Sequence, residues 1–105
     1  MPKTTARWNG QTIAASDDCM EVEGNAYFPP DAIDIKFFKT SDNTSACHWK
    51  GTASYFDVLV NGKTNTGAAW VYCEPLKAAS PIEDYVAFFW KGVEVNGREF
   101  AKPFP

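Results

Sequence analysis

The stretch TASYFDVLVNGKTNTGAAWVYC, residues 52–73, carries the pattern that decides the fold. From Thr52 to Val60 the residues alternate, with Phe56, Val58 and Val60 set against Tyr55, Asp57 and Leu59. Period two is the signature of a strand with one face buried. Asn61-Gly62 follows, and Asn-Gly is the strongest short hairpin signal because both central residues of a type I′ turn need positive φ. Ala68 to Cys73 then supplies the partner strand. The polar residues Lys63 to Gly67 leave the register open, because they could belong to a longer loop. A one-residue slip would move Trp70 and Tyr72 to the opposite face of the sheet.

The same grammar extends outward. Asn9-Gly10 separates Ala6–Trp8 from Gln11–Ala15, a second hairpin, and Cys19–Glu23 alternates with Met20 and Val22 on one face and Glu21 and Glu23 on the other. Tyr27-Phe28-Pro29-Pro30-Asp31 cannot be central strand, since neither proline has an N–H to donate. A turn of helix is expected across residues 32–38, although Ile33, Ile35 and Phe37 also alternate. Thr40–Ser45 reads as a loop by composition. Ser80-Pro81 reads as an N-capped helical turn with proline at its first position. Val86–Trp90 is the most apolar segment and is expected to be a central strand, with Gly92 a candidate bulge. The prediction is a mainly β, antiparallel fold with one or two short helices.

A chain of 105 residues, 45% hydrophobic and 22% charged, suffices for one core and makes a single domain over residues 1–105. The net charge of −3 repels phosphate backbones, which argues against duplex nucleic acid as a partner. No apolar run approaches the roughly 20 residues of a bilayer span, and the N-terminal MPKTTARWNG has no secretion-signal core, so no membrane partner and a cytoplasmic location are expected. Cys19, Cys47 and Cys73 lack the dense spacing of a disulfide scaffold and are expected as free thiols. Oligomeric state is left open by the sequence.

Four longer segments together resemble the domain of unknown function 427 family: Glu23–Pro29, Cys47–Tyr55, Ala68–Tyr72 with Pro75, and Val86–Val93. The likeness spans roughly residues 6–95 in the family's order; residues 96–105 form a peripheral tail. It implies a small β-tent-like domain in which two sheets meet at an angle over a cleft. A nucleotidyltransferase-like label comes with the resemblance, but such transfer needs carboxylates converging on magnesium, and Glu21 and Glu23 read more simply as the solvated side of a strand. The family's pattern usually has proline where this chain has His48, so that imidazole is not expected in a shared mechanism.

The candidate site residues come from these segments. Tyr27, Trp49, Tyr55, Trp70 and Tyr72 are amphipathic rings whose polar edges need partners when buried, and several together suggest a cleft with polar contacts. Lys50, beside Gly51, would neutralise an anionic or strongly polar group, or be merely a solvated rim residue. Glu23 enters the motif with Tyr27 and could instead pair with Lys50 or Arg7. The expected function is binding of a small polar or anionic ligand, of unknown identity, in this cleft. The alternatives are a thiol enzyme with Cys47 as nucleophile, its charge supplied by Lys50, and a structural or protein-interaction module whose rings are simply core. In an extended segment His48 would turn away from Cys47, an objection that a tight turn relaxes. No cofactor is expected, and no metal, because the cysteines and His48 have poor ligand spacing. Stacking of single-stranded RNA is disfavoured by the acidic balance and by having only Arg7 and Arg98.

Overall fold

Both Asn-Gly pairs adopt the turns their sequence demands. In the computed structural model, which describes residues 4–22, 25–88 and 92–95, φ is 51° at both Asn9 and Asn61, 78° at Gly10 and 79° at Gly62. Positive φ at both centres is the type I′ requirement. The described strands are, in chain order, β1 (Thr4–Trp8), β2 (Gln11–Ser16), β3 (Met20–Val22), β4 (Asn25–Tyr27), β5 (Phe38–Cys47), β6 (Gly51–Val60), β7 (Lys63–Val71), β8 (Val86–Phe88) and β9 (Glu94–Val95). The chain is mainly β, with antiparallel sheets and, among the described residues, no helix beyond single 3-10 segments. Glu23, Trp90 and the tail from residue 96 lie outside the described residues.

Two layers organise these strands. One is the sheet β2-β1-β9; the other is β5-β6-β7-β8, extended by the β3-β4 hairpin. The extension is made just after β4, where Phe28 and Val86 exchange N–H to carbonyl bonds of 2.7 and 2.8 Å. Between the layers lies a core of Ala6, Ile13, Ala14 and Val95 from the first and Val58, Val60, Ala69, Val71 and Phe88 from the second. Ile13 and Ala14 both reach it because the β1-β2 ladder gains one residue there, as a bulge allows. Phe28, Phe38 and Phe56 close the layer edge on, with Phe28 and Phe88 5.5 Å apart at 77°.

The open register between β6 and β7 is resolved by a two-residue offset. Near the turn Val58 faces Asn65, whereas beyond it Phe56 faces Ala69. Gly67 takes φ of 65° inside the offset, and its N–H donates to the Asp57 carboxylate at 2.8 Å. Because side chains repeat every two residues, an even offset leaves the faces unchanged. Ala69 and Val71 therefore face the inter-sheet core, and Trp70 and Tyr72 face the other side.

Three expectations need correction. Thr40–Ser45 is strand rather than loop: β5 pairs with β6, and the polar composition is tolerated because β5 lies at the sheet edge with both faces largely solvated. The ladder skips between Thr40 and Thr44, so only the middle of the segment departs from regular pairing. The 3-10 segment at Lys77–Ile82 begins after Leu76, and Ser80 does not cap it; Pro81 sits inside it. Gly92, at φ of 79°, leads into β9 rather than bulging within a ladder, and a Cβ there would sit 3.3 Å from the Trp8 indole nitrogen. Residues 30–38 form two single turns, Pro30–Ala32 and Ile35–Phe37, separated by Ile33 bridged to Ala14.

Phe28 is fully buried where the hairpin joins the larger sheet. Phe28→Ala is expected to lower unfolding free energy by about 3–5 kcal/mol, measured by urea titration; a loss below about 1 kcal/mol would show that this junction does not anchor β4.

Candidate functional site

Trp70 and Tyr72 project from the face of β7 that the first sheet does not cover. Tyr55 stands opposite Trp70 in the β6 ladder, and Ala53 and Ala87 lie beside them on the same face. Tyr27 arrives from β4, which the Phe28–Val86 junction brings next to β8. Its hydroxyl accepts the Trp70 indole N–H at 3.1 Å, and the rings meet edge to face at 6.3 Å and 81°. Tyr27, Trp70 and Tyr72 are fully buried. Tyr55 sits further out, its hydroxyl 2.7 Å from that of Ser45.

Lys50 enters this cluster from the β5-β6 turn. Cys47 pairs with Gly51, so His48, Trp49 and Lys50 form a tight turn and not an extended segment. Their side chains part: His48 is exposed, Trp49 half-buried and Lys50 wholly buried. The solvated-rim reading of Lys50 is therefore corrected. Its Nζ lies 5.4 Å from the Trp49 ring centre and 5.5 Å from that of Tyr72. Desolvated cation–π contacts are worth about 2 kcal/mol or more, against several kcal/mol to desolvate an ammonium. The two rings offset only part of that cost; Lys50, Tyr27, Trp70 and Tyr72 each make further interactions.

The cover over the cluster is the chain from Cys73 to Tyr85. Ala79 and Ile82 of its 3-10 segment pack on the rings. Three residues apart, they share one face of a helix with three residues per turn. At its entry the Leu76 N–H donates to the Lys50 carbonyl at 2.9 Å, and at its exit the Asp84 N–H donates to the Tyr72 carbonyl at 3.0 Å. The two anchors are thus the main chains of the lysine itself and of one of the two rings beside its ammonium. Gly51 lets the cover come close: a Cβ there would sit 3.3 Å from the Leu76 nitrogen, and its φ is 112°. Between β3 and the 3-10 segment lies a partly open cavity of about 130 Å³, walled by Met20, Val22, Trp49, Ala78, Ala79 and Ile82. Trp49 is common to the cavity and the lysine.

The structure places Tyr27, Trp49, Lys50, Tyr55, Trp70 and Tyr72 as neighbours in space, and Cys47 packs at the margin of the same cluster. Glu23 lies outside the described residues. Ala79 and Ile82 were not anticipated; their i, i+3 apolar spacing was the available signal. Burial pushes the Cys19 and Cys73 thiols above their ordinary range, reinforced by Asp18 at Cys19 and by Asp84 and Glu74 at Cys73. Among the described residues no group of three or more His, Cys, Asp or Glu is placed to hold a metal ion, and no helix is long and apolar enough to cross a membrane.

The chain belongs to the family described as Domain of unknown function (DUF427), whose model matches residues 2–99. No curated protein matches it.

Gly51→Ala must strain the backbone and also push on the main chain of the cover, whereas Gly10, at φ of 78°, has nothing near a new Cβ. Gly10→Ala is expected to cost about 1–3 kcal/mol and Gly51→Ala more than that; equal losses in chemical denaturation would mean that the cover does not press on the turn.

Proposed function

We propose that this chain is a cytoplasmic small-molecule-binding domain in which Tyr27, Trp49, Trp70 and Tyr72 wall the site and Lys50 neutralises an anionic or strongly polar group of the ligand. The observation that carries the reading is the fully buried ammonium between two ring faces, beside a cavity that shares Trp49 as a wall. Holding a lysine there costs stability, and natural sequences accept such local costs chiefly where function requires them. At 4 Å a unit anion would gain about 4 kcal/mol at an effective dielectric of 20. Free Cys19, Cys47 and Cys73 support a reducing compartment, and the net charge of −3 disfavours duplex nucleic acid.

A panel of small anionic and polar metabolites tested by thermal shift decides this. A ligand at ten times its Kd stabilises by about 1.4 kcal/mol, or roughly 5–10 °C in a domain this size. Lys50→Met, which keeps the length and removes the charge, is expected to abolish the shift. No response from the wild-type chain, or an undiminished shift in Lys50→Met, would refute the reading.

A second reading, a thiol enzyme using Cys47, is favoured by one arrangement: Cys47 borders the lysine cluster while burial and nearby carboxylates hold back the other two thiols. Raised pKa values leave less thiolate at neutral pH, and the thiolate is the reacting form. Iodoacetamide at pH 7 followed by peptide mass mapping is expected to leave Cys19 and Cys73 slow, with their rates still climbing as pH rises above the ordinary thiol range. Labelling of Cys47 well ahead of both is the result the enzyme reading requires; labelling no faster than theirs eliminates it.

A further inference from the structure

We propose that Asn61 is a site of spontaneous covalent modification in the folded chain, cyclising with Gly62 and opening to aspartate and isoaspartate, while the sister pair Asn9-Gly10 is held back by its hydrogen bonds. The inference is independent of the ligand-binding reading.

The chemistry needs only water. The main-chain nitrogen of Gly62 bonds to Cγ of Asn61 as the Cγ–Nδ2 bond breaks. The proton lost from that nitrogen passes through solvent to the departing amide nitrogen, which leaves as ammonia. Water then adds to one of the two carbonyl carbons of the five-membered imide. Opening at Cγ restores the main chain with aspartate at position 61. Opening at the main-chain carbonyl carbon instead routes the main chain through Cβ and Cγ, which is isoaspartate. Nothing is oxidised or reduced in either step.

Both turns meet the first requirements. A glycine after the asparagine puts no side chain beside the attacking nitrogen, and at Gly10 and Gly62 alike the space where a Cβ would sit has nothing within 4 Å. Trp8 pairs with Gln11 and Val60 with Lys63, so the hairpin bonds run between the flanking residues and leave the N–H groups of the central glycines outside the ladder. The turns differ in what holds the asparagine. Asn9 Nδ2 donates to the Val60 carbonyl at 3.0 Å, and Arg7 Nη2 donates to the Gly10 carbonyl at 3.1 Å. The amide that would leave and the residue that would attack are thus both tied. Asn61 is exposed, and among the described residues no hydrogen bond holds its side chain. Ring closure takes rotation of the asparagine about χ1 and ψ. At Asn9 that rotation breaks the bond to Val60; at Asn61 it breaks no side-chain bond.

Position gives the modification its effect. The Asn61-Gly62 turn joins β6 to β7, and its backbone twist must match that of the two strands. Isoaspartate adds one main-chain carbon to that two-residue turn, and either product adds a negative charge to a chain already at −3. The altered residue also adjoins Val60, whose carbonyl receives the Asn9 amide.

The full chain is incubated in mildly alkaline buffer, folded or unfolded in guanidinium chloride, and sampled over time by peptide mass mapping with electron-transfer fragmentation to tell isoaspartate from aspartate. Asn96-Gly97 lies outside the described residues and has no part in the comparison. In the folded chain Asn61 is expected to convert at least about fivefold faster than Asn9, the factor that one hydrogen bond supplies. In guanidinium chloride the two rates are expected to converge. Equal rates in the folded chain, faster loss of Asn9, or an Asn61 that stays intact while the unfolded chain reacts overturns the proposal. A difference that persists undiminished in the unfolded chain belongs to the neighbouring residues in sequence and overturns the structural account. The isoaspartyl fraction is expected to melt below the Asn61→Asp variant, which carries the added charge without the extra carbon; equal melting refutes the effect assigned to turn length.

Discussion

The parity of β7 is the constraint on which the remaining structure depends. Residues 69 and 71 must face one layer and residues 70 and 72 the other, because the first pair is small and apolar and the second large with polar edges. The Asn61-Gly62 turn sets the pairing and the Gly67 offset alters it by two, so the parity survives the irregularity. The Asp57 carboxylate holds the offset by accepting the Gly67 N–H. An odd offset would have put Trp70 and Tyr72 into the inter-sheet core, where Ile13, Phe28 and Phe88 already fill the space. Close-packed interiors do not absorb such a change in volume.

Two chemically different faces follow from that parity. The face toward β1, β2 and β9 is packed by aliphatic and phenylalanine side chains. The other is built from rings with hydrogen-bonding edges, and it is the one that admits a lysine. Tyr27 and Trp70 satisfy one another across it at 3.1 Å, which fixes both rings before the ammonium is considered. A charge set among rings already held in place gains more from them than one among mobile rings, since no side chain must be ordered to meet it.

Hairpins were legible in the sequence because their turn chemistry is local: Asn9-Gly10 and Asn61-Gly62 each need positive φ whatever surrounds them. The ring cluster was legible because Trp70 and Tyr72 fall two apart in a strand and Trp49-Lys50 precedes its neighbour. What the sequence concealed depends on tertiary context. Thr40–Ser45 has loop composition, yet an edge strand needs only one paired side and accepts polar residues on both faces. The inward turn of Lys50 could not be read from Cys47–Gly51, since burial of a lysine depends on what covers it. That cover, Lys77–Ile82, is a short 3-10 segment with two inward residues, too brief a pattern to stand out before Trp70 and Tyr72 are known to lie beneath it.

The way the cover is fastened links stability to the site. Its two ends hang from the carbonyls of Lys50 and Tyr72, at 2.9 and 3.0 Å. Lys50 and Tyr72 thus each place a side chain beneath the cover and a main-chain carbonyl at one of its ends. A purely structural role would be served as well by an apolar side chain of similar length at position 50, since buried charges are commonly replaced by hydrophobic groups at no loss of stability. The buried ammonium is thus the feature in which this cluster differs chemically from the inter-sheet core, which is aliphatic and phenylalanine in character.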